Sequence, residues 1–106
     1  RIYKYDVAGG RYEETDFYAI GSGGGHARSS LKKLYRPGQP EPEALSMALE
    51  ALYDAAEEDT GTGGPDFVRR IFPTVKLVTA QGARDVPEDR VAAACEAIVA
   101  ARRTRP

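Results

Sequence analysis

The stretch from about Pro42 to about Glu58 constrains the fold more than any other part of this chain. Leu45, Ala48, Leu49, Leu52, Ala55 and Ala56 recur at the spacing of one helical face, and Glu43, Glu50 and Glu57 fall mostly off it. Pro42 suits a first turn, where a helix needs no N–H from it. Before this segment, Arg36-Pro37-Gly38-Gln39-Pro40 interrupts any helix; after it, Asp59-Thr60-Gly61-Thr62-Gly63-Gly64-Pro65 cannot be regular structure. An amphipathic helix bounded in this way must lay its apolar stripe against another layer.

The flanking segments supply that layer. Arg1 to Val7 alternates as a strand, Ala8-Gly9-Gly10 can turn with positive φ, and Tyr12 to Ile20 resumes strand composition, so a hairpin is expected. That second strand runs into Gly21-Ser22-Gly23-Gly24-Gly25, and a helix is expected over His26 to Tyr35, with Ala27, Leu31 and Leu34 on one face. Beyond the glycine loop, a strand centred on 74–79 turns at Gln81-Gly82 and pairs back through Ala83 to Val86. Pro87 then opens a last helix with Val91, Ala94, Cys95, Ile98 and Val99 inward. Arg102-Arg103-Thr104-Arg105-Pro106 reads as a basic, frayed end. The order strand, strand, helix, helix, strand, strand, helix fits sheets covered by helices and not a regularly alternating parallel fold. Arg1 already stands inside a strand with no lead-in, so an incomplete chain is expected.

With 42% hydrophobic and 29% charged residues in 106, the sequence can form one globular unit without disordered tracts. A net charge of −1, with both signs mixed along the chain, gives no basic footprint for nucleic acid. No apolar run reaches the roughly 18 residues of a membrane helix. A single cysteine, Cys95, cannot form an internal disulfide and fits a reducing cytoplasm; on an Ala-rich inner face it reads as a small core residue. One His and one Cys, far apart, give poor support for a metal site, and no cofactor is implied.

Two loops carry whatever chemistry the chain has. Gly21 to Gly25, between a strand and a helix, is either a tight turn or a backbone site for an anion. A nucleotide cradle fits poorly, since no Lys-Ser/Thr follows the glycines as a P-loop requires. Asp59-Thr60-Gly61 matches an aspartic-protease triplet, but it follows the acidic helix end Ala55-Ala56-Glu57-Glu58. Paired, proton-sharing carboxylates need hydrophobic strands there instead. His26, the only histidine, stands four residues after Ser22 and has no orienting carboxylate in the sequence, so it reads as a solvated helix-start residue. Lys32 and Lys33 read as a solvated helix face.

Taken in order, several segments resemble the actinobacterial type of 20S proteasome β-subunit. They are Tyr18-Ala19-Ile20-Gly21-Ser22-Gly23 with Ser29-Ser30-Leu31-Lys32-Lys33-Leu34-Tyr35, and Glu50-Ala51-Leu52-Tyr53-Asp54-Ala55-Ala56 running into Asp59-x-x-Thr62-Gly63-Gly64-Pro65-Asp66. Ile71-Phe72-Pro73-Thr74 and Asp85-Val86-Pro87-Glu88 extend the resemblance over nearly the whole chain. It implies an α/β (α+β) N-terminal-nucleophile hydrolase, an αββα four-layer sandwich with antiparallel sheets, of which 1–106 would be the C-terminal portion of a single domain. It also implies a threonine-type endopeptidase whose N-terminal threonine attacks the peptide, with its own amine as base and a lysine and an aspartate in support. Those four groups would precede Arg1, so this chain alone is expected to be inactive, and Lys33 is not the family lysine. Three supporting positions carry over: Ser22 of the Gly-Ser-Gly turn, Asp59, and Thr62, where many family members have serine. The resemblance further implies stacked heptameric rings with other β-subunits and α-subunits, unfolded polypeptide as substrate, and an ATP-dependent unfoldase delivering it. A non-catalytic ring or scaffold subunit is the alternative, in which Ser22 and Thr62 only satisfy turn backbone and Asp59 only ends a helix.

Overall fold

A computed structural model describes residues 2–5, 8–14, 16–59 and 61–103, with residues 12–14 described by their backbone alone. The elements follow the expected order: β1 (Ile2–Tyr5), β2 (Arg11–Glu14), α1 (Gly24–Leu34), α2 (Glu41–Glu58), β3 (Lys76–Thr79), β4 (Gly82–Asp85) and α3 (Glu88–Arg103). Among the described residues the strands form two separate two-stranded antiparallel sheets. In the first, Ile2 faces Glu14 and Tyr5 faces Arg11; in the second, Lys76 faces Asp85 and Thr79 faces Gly82.

Helix α2 is the axis on which the rest is hung. Leu45 and Leu49 point into a cluster with Val86, Val91, Cys95 and Ile98, which places α3 and the end of β4 on one flank. Ala51 and Ala55 point into a second cluster with Ala27 and Leu31 of α1. The small alanines let α1 approach closely, as ridge-into-groove packing requires. Ala48 and Leu52, expected in the buried stripe, lie on the strip of α2 between these flanks and are exposed, Leu52 to 42%. The stripe is split because two helices cover α2 from different directions, and a groove of about 270 Å³ opens over Ala48 and Leu52, walled by α1 and residues 18–20. Conversely Ala51, off the expected stripe, is 3% exposed.

The first hairpin is shorter than expected. Residues 17–20 pair with no strand among those described, whereas a strand over Tyr12 to Ile20 was expected. Side chains hold the segment instead. Phe17 packs against the Tyr35 ring at 5.4 Å, Arg28 donates to the Ala19 carbonyl, and Lys4 donates to the Tyr18 hydroxyl at 3.2 Å. Strand composition without a partner ladder does not make a strand. Arg1, Asp6, Val7 and Thr15, also assigned to strands from the sequence, lie outside the described residues.

Arg102 and Arg103 belong to α3 and are not frayed, while Thr104, Arg105 and Pro106 lie outside the described residues. Arg102 donates to Asp54 at 2.6 Å and to Glu57 at 3.2 Å, and its guanidinium lies over the Tyr53 ring at 4.9 Å. Asp54 in turn accepts from the buried Ser30 hydroxyl at 2.7 Å, so one carboxylate links all three helices. At the other end of α2, Glu41 accepts from Arg84 of β4 and from Arg90 of α3. These two arginines hold the Glu41 carboxyl below the usual range, the Arg90 bond first among the causes.

Candidate functional site

Two chain reversals meet at one carboxylate. Helix α2 stops at Asp59, whose backbone turns extended (φ −135°, ψ 115°) while its N–H still donates to Ala55 O at 2.9 Å. The glycines beyond it cannot sustain a helix, and the Thr62 N–H returns to the Asp59 carbonyl at 3.1 Å, closing a tight loop. On the other side, Gly21 takes a positive φ of 94° that a side chain would disfavour. The Gly24 N–H reaches Gly21 O at 3.0 Å, so Ser22 and Gly23 form the tip of a turn from which α1 departs. Helix α1 begins at Gly24, two residues before the expected His26, and has no side-chain cap.

These reversals bring Ser22, Asp59 and Thr62 together. Ser22 Oγ donates to Asp59 Oδ2 at 2.6 Å, and Thr62 Oγ1 donates to the same oxygen at 2.7 Å. Ser22 is exposed; Asp59 and Thr62 are half-buried. The Asp59 carboxyl is held below the usual carboxylate range, first by the Ser22 hydroxyl, then by Thr62. Partial burial opposes this, and the Gly61 backbone amide and the charge of His26 add to it. Hydroxyls that donate to the ionised form favour that form. At neutral pH the cluster therefore presents one fixed negative charge flanked by two hydroxyl oxygens, each with lone pairs able to accept from a further donor.

His26 lies exposed in the first turn of α1, as a solvated helix-start residue should. Its electrostatic reach to Asp59 was not legible in the sequence, because 33 positions separate the two residues and only the α1–α2 packing closes the gap. The Ser30–Asp54–Arg102 network was missed for the same reason. Cys95 is 1% exposed, and burial, with Glu96 second, raises its thiol pKa. It packs as core and carries no reactive character. Lys32 and Lys33 are exposed on α1.

A groove lined by Tyr18, Ile20, Gly23, Leu52, Ala55 and Thr62 opens beside the cluster. Apolar on most sides, it borders the hydroxyl of Thr62 and includes Ile20, 76% exposed. The cluster thus stands at the edge of an open, largely apolar groove.

The profile of the proteasome subunit family matches residues 1–68. With relatives more than 50% identical along its whole length, the chain belongs to the proteasome subunit family. It is 56% identical over 106 residues to proteasome subunit beta 2 of Thermomonospora curvata and covers 38% of that protein. It is 51% identical over 106 residues to the proteasome subunit beta of Acidothermus cellulolyticus, and 54% identical over 108 to that of Saccharomonospora viridis. It covers 37% of each. All of this chain is aligned in each case, so it spans well under half the length of these relatives.

Proposed function

We propose that this chain is the C-terminal portion of a proteasome β-subunit acting as a threonine endopeptidase, and that Ser22, Asp59 and Thr62 support its nucleophile. The observation that carries the proposal is the convergence of both hydroxyls on one oxygen of an ionised Asp59. An N-terminal threonine uses its own amine as general base, so the amine must be held beside the hydroxyl it deprotonates. A free α-amine has a pKa of about 7.7–8.0, near the working range of a base. A neighbouring carboxylate raises that affinity, and hydroxyl acceptors orient the N–H groups without adding charge. The three side chains supply both kinds of neighbour from the turn before α1, the end of α2 and the loop that follows it.

In the proposed reaction the threonine hydroxyl loses its proton to the amine and attacks the peptide carbonyl. The leaving amine takes that proton, and water then releases the acyl group. Family membership supports the remaining parts of the proposal. The whole subunit would adopt the αββα four-layer sandwich and stack in heptameric rings with α-subunits in the cytoplasm. Unfolded polypeptide delivered by an ATP-dependent unfoldase would be the substrate. The open groove beside Thr62 suits burial under the rest of such a subunit.

The test is to treat the full-length, assembled protein with a peptide electrophile and locate the adduct by mass spectrometry. Attachment at an N-terminal threonine is expected. Attachment at an internal serine or cysteine, or hydrolysis insensitive to replacement of the threonine, would contradict the proposal.

A further inference from the structure

Gly23 is buried at the point where the two reversals touch, and its backbone needs no glycine: φ −88° and ψ 5° are open to any residue. Space provides the reason for glycine there. A methyl group on Gly23 would fall inside the contact distance of Thr62 Oγ1, and would sit 3.3 Å from both Ala55 Cβ and Asp59 Oδ2. None of these neighbours can give way freely. Ala55 is fixed in α2 and 1% exposed, and Thr62 Oγ1 is held by its bond to Asp59. A comparable vacancy occurs in reverse, since a methyl on Gly61 would lie 2.7 Å from Ser22 Oγ. There Ser22 Oγ is likewise bonded to Asp59, but Gly61 and Ser22 are both exposed, so the Gly61 loop can shift outward into solvent instead.

We propose that Gly23 is a positioning residue of this site: its missing side chain lets the α1 turn close onto α2 and keeps Thr62 Oγ1 bonded to Asp59. The inference rests on the protease reading and names the contact that sets the site's geometry. Any side chain at position 23 must displace the Thr62 hydroxyl or push the Ser22 turn away from Asp59. A displacement of about 1 Å at supporting groups can cost about 100-fold in rate.

The experiment uses the full-length, assembled protein and a fluorogenic peptide, comparing Gly23→Ala, Thr62→Ala, the double variant and Gly61→Ala. Gly23→Ala should lower kcat about 10- to 100-fold with KM little changed, and Gly61→Ala should cost less. The deciding arm is the double variant. If Gly23 acts through the Thr62 hydroxyl, adding Gly23→Ala to Thr62→Ala should change kcat less than twofold. Equal penalties in both backgrounds would overturn the inference, as would an unaffected Gly23→Ala. Should Gly23→Ala fail to assemble, recovery of assembly in the double variant supports the steric contact, and failure of both variants overturns it. A wild-type protein without peptidase activity would instead sink the protease reading itself.

Discussion

Arg102 offers the clearest energetic test of how α3 is fastened to α2. Its side chain, 21% exposed, bonds Asp54 and Glu57 and covers the face of Tyr53. Partial burial works against its charge, but Asp54 and Glu57, with Glu50, outweigh that and raise its pKa above the ordinary arginine value. Each pairing with a carboxylate this exposed contributes about 0.2–1 kcal/mol. The contact with the Tyr53 ring adds about 0.5–1 kcal/mol. Arg102→Ala should therefore cost about 1–3 kcal/mol. Arg102→Met should cost less, because it keeps the packing on Tyr53 and removes a buried Nε that has no hydrogen-bond partner among the described residues. With a urea slope of about 1.5 kcal/mol/M, a loss of 2 kcal/mol moves the midpoint by about 1.3 M. Urea unfolding followed by far-ultraviolet circular dichroism measures it, together with an Arg102/Asp54 double-mutant cycle. A coupling of about 0.2–1 kcal/mol is expected, declining in high salt. Zero coupling, with Arg102→Ala equally costly in the Asp54→Ala background, would refute the claim that this pair joins the helices.

Three further outcomes follow from the same structure. Leu49→Ala empties a site that is 3% exposed between α2 and α3, and should cost about 2–5 kcal/mol by the same urea assay. The Asp59 carboxyl is depressed in the folded state, so its contribution to stability is complete above the unfolded carboxylate value of about 3.9. That contribution is lost as pH falls further through the folded value; the stability difference between wild type and Asp59→Asn should be flat above about pH 5 and shrink below about pH 4. Cys95, buried and with a raised pKa, should resist a thiol-specific reagent in the folded protein and react promptly once urea unfolds it.

The helices were legible because their signals are local. The α2 periodicity, with Pro42 at its start and glycines beyond its end, located Glu41–Glu58 to within a residue. What the sequence concealed was the direction from which each face is covered. Ala48, Leu49, Ala51 and Leu52 differ little as a pattern, yet α1 covers Ala51, α3 covers Leu49, and the other two face a groove. Residues 17–20 have strand composition, but a ladder depends on a partner that composition does not specify. At the site, Ser22, Asp59 and Thr62 were singled out by resemblance. The role of Gly23 could emerge only once the distance to Thr62 was known, since its backbone angles carry no glycine signature. Arg102 looked like part of a loose basic end because its partners lie 45 and 48 positions away.

The central claim is that the carboxylate joining Ser22 and Thr62 supports a threonine nucleophile in the complete subunit. Peptide hydrolysis by full-length, assembled Asp59→Asn protein tests it most directly, because the substitution keeps the shape and removes the charge. A fall in kcat of about 100-fold or more, with assembly intact, is the expected result. Hydrolysis at the wild-type rate by a properly assembled variant would contradict the account.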